Sequence, residues 1–291
     1  MTSELAFIQS LRALAKHPAA RGFDDDCAVI EIGSEALVLT HDAMARGVHF
    51  TEGQDPADVA WKLVASNMSD LAAKGAEPLG VLLGYQFGQD DARFVEGLGQ
   101  ALDHYGAPLL GGDTISAKHG EQVLGLTAIG RATHRPVPGR AGARPGDALF
   151  LTGAVGAAML GLEALNRGTG DSLAYRRPRA LLAEGQALAP HVSAMMDVSD
   201  GLLLDAARMA RASGVAFAID SQAVPIATHD SRRAEALRWG EDYQLLFTAP
   251  AEAGLPVAAH YIGEALPPAE APILLDGAPL SEHDGLGYQH I

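Results

Sequence analysis

Apolar residues recur at helical spacing over residues 4–16, where Leu5, Ile8, Leu11 and Leu14 predict an amphipathic helix. Two β-type runs, 27–32 and 36–40, flank Gly33-Ser34 and predict a hairpin whose open end holds Asp26 and Asp42 close together. Asp55 before Pro56 reads as an N-cap with proline at the first helical position. The helix that follows has Val59, Leu63, Val64, Met68 and Leu71 as its apolar stripe and ends near Lys74-Gly75, with Trp61 packed in the core. Its other face carries Lys62, Ser66, Asn67 and Asp70, a polar ridge directed at whatever the hairpin end presents. Strand patterns over 79–87, 108–110 and 122–132 surround a helix over 92–105.

The stretch 134–146 interrupts this alternation with Pro, Gly and Arg and marks a domain boundary, giving units 1–137 and 138–291. Beyond it the pattern predicts a strand over 148–151, a helix to about 166, and a helix over 178–188. A short strand over 193–196 leads into a helix over 202–212, and strands follow over 215–220 and 244–248. Strands and helices alternate in both units, which predicts an α/β (α+β) chain of two domains.

Polar positions between these elements share one chemical grammar. Asp24-Asp25-Asp26, Thr40-His41-Asp42, Asn67-Met68-Ser69-Asp70, Gly111-Gly112-Asp113-Thr114 and Asp197-Val198-Ser199-Asp200-Gly201 each set a carboxylate beside Gly, Ser, Thr or Asn. Oxygen ligands and bare backbone amides can then face one small volume, as Mg²⁺ bridging protein acids to phosphate requires. Taken singly, Asp113 is equally a loop cap, and Asp197 or Asp200 an N-cap for the helix at Leu202. The turn into that helix also exposes N-terminal amides, which suit phosphate.

Charge narrows the classes. A net charge of −15 over 291 residues leaves no basic stripe for nucleic acid, and an anionic ligand needs cations between it and the protein. Arg131, Arg135, Arg140 and Arg144 lie in or beside the boundary and read either as linker surface or as phosphate contacts. The longest apolar runs are too short to span a membrane, the start lacks a signal-peptide pattern, and Cys27 is the sole cysteine. A cytoplasmic location is therefore expected. The chain has no Gly-Lys-Ser/Thr P-loop, no G-x-G-x-x-G, no protein-kinase signature set and no zinc-ligand spacing. Neighbouring acids without a sugar-stacking aromatic cluster do not make a glycosidase.

One ordered set of motifs runs through the chain: Asp25-Asp26-Cys27-Ala28, Thr40-His41-Asp42 with Gly47-Val48-His49-Phe50, and Trp61-Lys62 with Asn67-Met68-Ser69-Asp70-Leu71-Ala72. Gly111-Gly112-Asp113-Thr114, Met196-Asp197-Val198-Ser199-Asp200-Gly201-Leu202 and Gly240-Glu241-Asp242-Tyr243-Gln244-Leu245-Leu246-Phe247 complete it. In this order the set resembles the thiamine-monophosphate kinase family. Single motifs occur across the wider superfamily of aminoimidazole ribonucleotide synthetase, selenophosphate synthetase and the hydrogenase maturation dehydratase. The Gly-Val-His-Phe and Gly-Glu-Asp-Tyr segments point to the thiamine enzyme. The alternative is another ATP-dependent enzyme of that superfamily acting on a different acceptor.

The resemblance implies an N-terminal mixed-sheet domain that forms a homodimer, a C-terminal α/β domain of the aminoimidazole ribonucleotide synthetase type, and ATP between them as co-substrate. It implies several Mg²⁺ ions held by Asp26, Thr40, Asp42, Asp70, Asp113, Asp197 and Asp200, with Asp25 a weaker candidate. His41 stands where the family has a second threonine and is counted with these ligands. Tyr105, Gly112, Asp113, Arg140 and Ser199 are implied ATP contacts, and His49, Glu241 and Tyr288 contacts to thiamine monophosphate. Two departures bear on the site: Asp24 occupies a usual glycine position, and Trp239 precedes Gly-Glu-Asp-Tyr where glycine is common.

Overall fold

A computed structural model describes residues 4–116, 121–281 and 284–289. Helix α1 (Glu4–Arg12) is shorter than its apolar spacing suggests, and Leu14 beyond it is exposed. Strands β1 (Ala28–Ile32) and β2 (Glu35–Ala45) form the expected hairpin, pairing from Ala28 with Leu39 to Ile32 with Glu35. Helix α2 (Pro56–Ala73) begins at the Asp55 cap, whose side chain accepts the amide of Ala57. Then come β3 (Ala76–Gln86), α3 (Asp91–Tyr105), β4 (Leu109–Ile115) and β5 (Val123–Ala132).

These strands make one mixed sheet in the order β1-β2-β5-β3-β4, in which only β3 and β4 run parallel. Its core is built from Val38, Leu124, Leu126 and Val81 of the sheet against Leu63, Met68 and Leu71 of α2 and Phe94 and Leu98 of α3. The Gly111–Thr114 motif therefore sits within an edge strand rather than a loop. Gly112 is required there because a Cβ would lie 2.0 Å from the carbonyl oxygen of Leu83 on β3.

The second unit follows the Pro/Gly/Arg stretch. Its elements are β6 (Asp147–Leu151), α4 (Ala157–Arg167), α5 (Leu173–Arg176), α6 (Leu182–Leu188), β7 (Ala194–Asp197), α7 (Leu202–Ser213) and β8 (Ala216–Ile219). Helix α8 (Arg233–Ala236) and strands β9 (Leu245–Pro250), β10 (His260–Leu266), β11 (Ile273–Leu275) and β12 (Ala278–Leu280) complete it. The seven strands order as β12-β11-β8-β10-β6-β9-β7, so β7 lies at an edge.

An apolar cluster joins the units. Ala72 and Ala73 of α2 pack with Leu181, Leu188, Met195, Leu245 and Phe247. Residues 178–181 are not helical as their pattern suggests, because their backbone serves this junction. The carbonyl of Pro178 accepts from Trp61 Nε1 at 2.9 Å, and the amide of Ala180 donates to the Tyr105 hydroxyl at 3.0 Å. Asp58 of α2 adds ion pairs to Arg176 and Arg177.

Candidate active site and metal centre

Every fourth residue of α2 from Lys62 brings a polar side chain to one face: Lys62, Ser66, Asp70 and the C-cap Lys74. All four are buried. A helix rises about 1.5 Å per residue, so Lys62 and Asp70 stand about 12 Å apart along it. The ridge thereby joins two different chemical environments, one at each end.

At the far end, ligand oxygens of Asp26, Asp70 and Asp197 lie within 4.8 Å of one another. They come from the loop before β1, from α2 and from the end of β7, so both units contribute. Strand alternation turns Thr40 and Asp42 of β2 towards α2. The Thr40 hydroxyl donates to Asp70 and Asn67 Oδ1 accepts the amide of Asp42 at 3.2 Å, while the Ser66 hydroxyl donates back to the Leu63 carbonyl at 3.1 Å. From the second unit, Asp197 accepts the Ser69 hydroxyl at 2.6 Å.

Protein cations divide these acids. Lys74 Nζ lies 2.5 Å from Asp25 and 3.3 Å from Asp26, and Arg140 pairs with the other oxygen of Asp26. Burial would raise the Asp26 carboxyl, but Arg140 and Lys74 hold it below its usual range. Asp200 pairs with Arg208 at 2.5 Å. Asp42, Asp70 and Asp197 have no Lys or Arg ion pair among the described residues. Burial, reinforced by neighbouring carboxylates, raises Asp70 well above the ordinary range and pushes Asp197 up to about 8. Asp42 is raised as well, by burial first and by the nearby Asp26 carboxylate.

This donor set fits a hard divalent cation. It consists of carboxylates and a hydroxyl, and the buried Oδ1 of Asp197 has no hydrogen-bond partner. His41 is turned to the opposite, exposed face of β2, where its Nδ1 lies 2.9 Å from Thr127 Oγ1. Asp113 is exposed on β4, accepting the amide of Thr114 at 2.9 Å, and is not among the clustered acids. The Tyr105 hydroxyl is committed to the 178–180 backbone.

At the near end of the ridge, Lys62 Nζ lies 2.5 Å from Glu241 and donates to the His49 carbonyl at 2.9 Å. It also sits 3.8 Å from the centre of the Tyr175 ring, whose hydroxyl donates to that same carbonyl at 3.2 Å. His49 Nδ1 accepts the amide of Ala45 at 3.1 Å, which fixes the ring's tautomer and direction. Glu241 and Tyr243 both take left-handed backbone conformations, with φ of 67° and 50°. That loop lies against the aspartate loop of β7: Glu241 donates its amide to Ser199 at 2.8 Å and Tyr243 to Val198 at 2.9 Å. The amide of Tyr288 donates to the Asp200 carbonyl at 2.9 Å, so the C-terminal segment crosses the same loop. Trp239 is half-buried beside it. A cavity of about 630 Å³ opens here, lined by Glu241, Asp242, Gln244, Leu173, Arg177 and Leu181 among others.

Three supporting residues were not legible from the sequence. Asp205 accepts the amides of Ser199 and Asp200 at 3.0 Å each, Asp242 accepts those of Gly156 and Ala158 at the start of α4, and Lys74 was read only as a helix end. Asp205 sits four residues after Gly201 inside a helix, a weak signal for a loop brace.

Residues 24–132 match the N-terminal domain of AIR synthase related proteins, and residues 144–265 match their C-terminal domain. The thiamine-monophosphate kinase of Salmonella typhimurium is 35% identical over 254 residues, covering 79% of this chain and 76% of that protein. The chain belongs to the thiamine-monophosphate kinase family. Another thiamine-monophosphate kinase, from Caulobacter vibrioides, is 38% identical over 228 residues, covering 74% of this chain and 64% of its own. A thiamine-monophosphate kinase structure from Aquifex aeolicus superposes with a TM-score of 0.81 at 29% identity, covering 95% of this chain and 98% of that one. The ThiL structure complexed with AMPPCP and TMP superposes at 0.88 with 28% identity, covering 99% and 97%. Two AIR-synthase-like domains of mixed sheets and helices are thus the architecture of this thiamine-monophosphate kinase family member.

Proposed function

We propose that the chain transfers the γ-phosphoryl group of ATP directly to thiamine monophosphate, producing thiamine diphosphate and ADP. The observation that carries this reading is the meeting of Asp26, Asp70 and Asp197 from two domains at one end of the buried α2 ridge, with His49 and Glu241 at the other. Thiamine monophosphate has a phosphate at one end and a heteroaromatic body at the other. A site with a metal-binding end and a polar, aromatic-flanked end suits such a molecule.

An oxygen of the acceptor phosphate attacks the γ-phosphorus, the bond from that phosphorus to the β–γ bridging oxygen breaks, and ADP leaves with the electron pair. The nucleophile is already anionic and needs no general base. Alignment and charge neutralisation are the main tasks. We assign Asp26, Thr40, Asp42, Asp70 and Asp197 to Mg²⁺, with Asp200 at its margin; His41 and Asp113, exposed on β2 and β4, lie outside the set. Mg²⁺ held there supplies positive charge between two anions that would otherwise repel. Arg140, Ser199 and Gly112 are assigned to ATP, and Tyr105 acts by holding residues 178–180. Lys62 fixes His49 and Glu241 relative to each other across the domain junction, while Tyr288 closes over the acceptor.

The 1–137 unit is proposed to form a homodimer through its sheet. Support comes from β4, an edge strand whose seven residues are all exposed and include Leu109, Leu110 and Ile115. No helix among the described residues is long and apolar enough to cross a membrane. The test is label transfer from γ-labelled ATP. Label should enter thiamine diphosphate only when thiamine monophosphate and Mg²⁺ are both present; label released solely as inorganic phosphate would contradict direct transfer.

A further inference from the structure

Beside the N-terminus of α2 lies a cavity of about 410 Å³ that shares no lining residue with the acceptor cavity or with the Asp26, Asp70 and Asp197 cluster. Arg46 enters it just past the end of β2, Phe50 and Gln54 from the loop before α2, Tyr85 from β3 and Phe94 from α3. Most polar groups of its wall already have partners. Arg93 gives Nε and Nη2 to Asp55 and Nη1 to Glu96, and the Tyr85 hydroxyl donates to Asp91 at 2.7 Å. Gln122 accepts from Arg46 Nη2 at 2.8 Å and donates to the Gln86 carbonyl at 2.8 Å. Two buried donors differ: Arg46 Nε and Gln54 Nε2 have no hydrogen-bond partner among the described residues. Gln54 is only 6% exposed, and its Oε1 accepts the amide of Thr51 at 3.3 Å, which orients the side chain. Arg46 has no carboxylate partner among the described residues either.

A buried donor without an acceptor is costly, more so on a charged group. Both of these atoms donate and one belongs to a guanidinium, so the group that complements them is an anionic oxygen. Charge at the mouth of the cavity sets how much negative charge fits. Glu52 and Asp90 are exposed there, and a dianionic phosphate would be repelled by them where a single carboxylate is matched by Arg46. The rest of the wall is apolar: Phe50, Val59, Tyr85 and Phe94 are all buried and offer contact to an organic body.

We propose that this cavity is a second binding site, for a small organic monocarboxylate whose oxygens accept from Arg46 and Gln54 and whose apolar body lies against Phe50 and Phe94. The site lies within the first unit and does not depend on the phosphoryl-transfer reading.

The test is calorimetry on the full-length protein with benzoate, benzamide and phenyl phosphate, probes that share a ring and differ in charge. Wild type should bind one benzoate per chain with a Kd of about 1 mM or tighter, and the other two at least about tenfold more weakly. Arg46→Met removes the cationic donor. Gln54→Glu keeps an oxygen for the Thr51 amide while putting a carboxylate where the donor was. Each variant should weaken benzoate binding at least about tenfold, with melting temperatures checking that both fold. Wild type that does not saturate with benzoate overturns the proposal, as does benzamide or phenyl phosphate binding closer to benzoate than tenfold. A folded variant that loses less than tenfold also overturns it, since benzoate would then sit elsewhere. If a variant does not fold, the order of the three probes on wild type decides the matter.

Discussion

At the scale of single residues, Asp197 decides the most. Its folded-state carboxyl sits near 8, against about 4 for an ordinary Asp. The folded state therefore binds an extra proton between those values. Its contribution to stability is fully present below about pH 4 and is lost as pH rises through about 8. Metal-free protein is predicted to melt at a lower temperature at about pH 8 than at about pH 6, and Mg²⁺ should flatten that slope by displacing the proton. Thermal melts in chelator and in Mg²⁺ check both parts. Asp197→Asn should hold or raise metal-free stability while reducing phosphoryl transfer by about a hundredfold or more; activity within a few-fold of wild type would remove Asp197 from the centre. At the acceptor end, Lys62→Met should raise the KM for thiamine monophosphate about tenfold and leave that for ATP unchanged, since Lys62 touches His49 and Glu241.

Among elements, the two loops that meet at the site depend on one close approach. A Cβ on Gly240 would lie 2.2 Å from the carbonyl oxygen of Ser199. Gly240→Ala should therefore separate the Glu241 loop from the aspartate loop, costing about 1–3 kcal/mol in urea denaturation and weakening acceptor binding. The elements also show what a sequence can disclose. The α2 stripe and the 33–34 hairpin turn were legible because period and capping chemistry are local. That Thr40 and Asp42 would face α2, with His41 on the other side, followed only once β2 was known to run past Thr40 to Ala45. Strands β10 to β12 carried no distinct signal, and 178–181 gave up its helical pattern for hydrogen bonds to Trp61 and Tyr105, partners more than seventy residues away. Lys74 resembled a helix end because its carboxylate partners, Asp25 and Asp26, lie 49 and 48 residues earlier.

The whole molecule explains why so acidic a chain suits anionic ligands. Domain packing through Ala72, Ala73, Leu188 and Phe247 brings Asp197 of one unit against Asp26 and Asp70 of the other, concentrating acid where a cation is needed. Folding thus brings together the acidic cluster proposed to hold Mg²⁺ and the Lys62–Glu241–His49 end proposed for the acceptor. The exposed β4 face belongs to this scale as well: Leu110→Glu should convert a dimer to monomers, read by light scattering on a sizing column, with an unchanged mass counting against that surface. The account stands most directly on one measurement, chromatography of wild type and Asp197→Asn after incubation with Mg²⁺, ATP and thiamine monophosphate. Wild type should form thiamine diphosphate and ADP in equal amounts and the variant almost none; no thiamine diphosphate from wild type, or equal product from both, would contradict it.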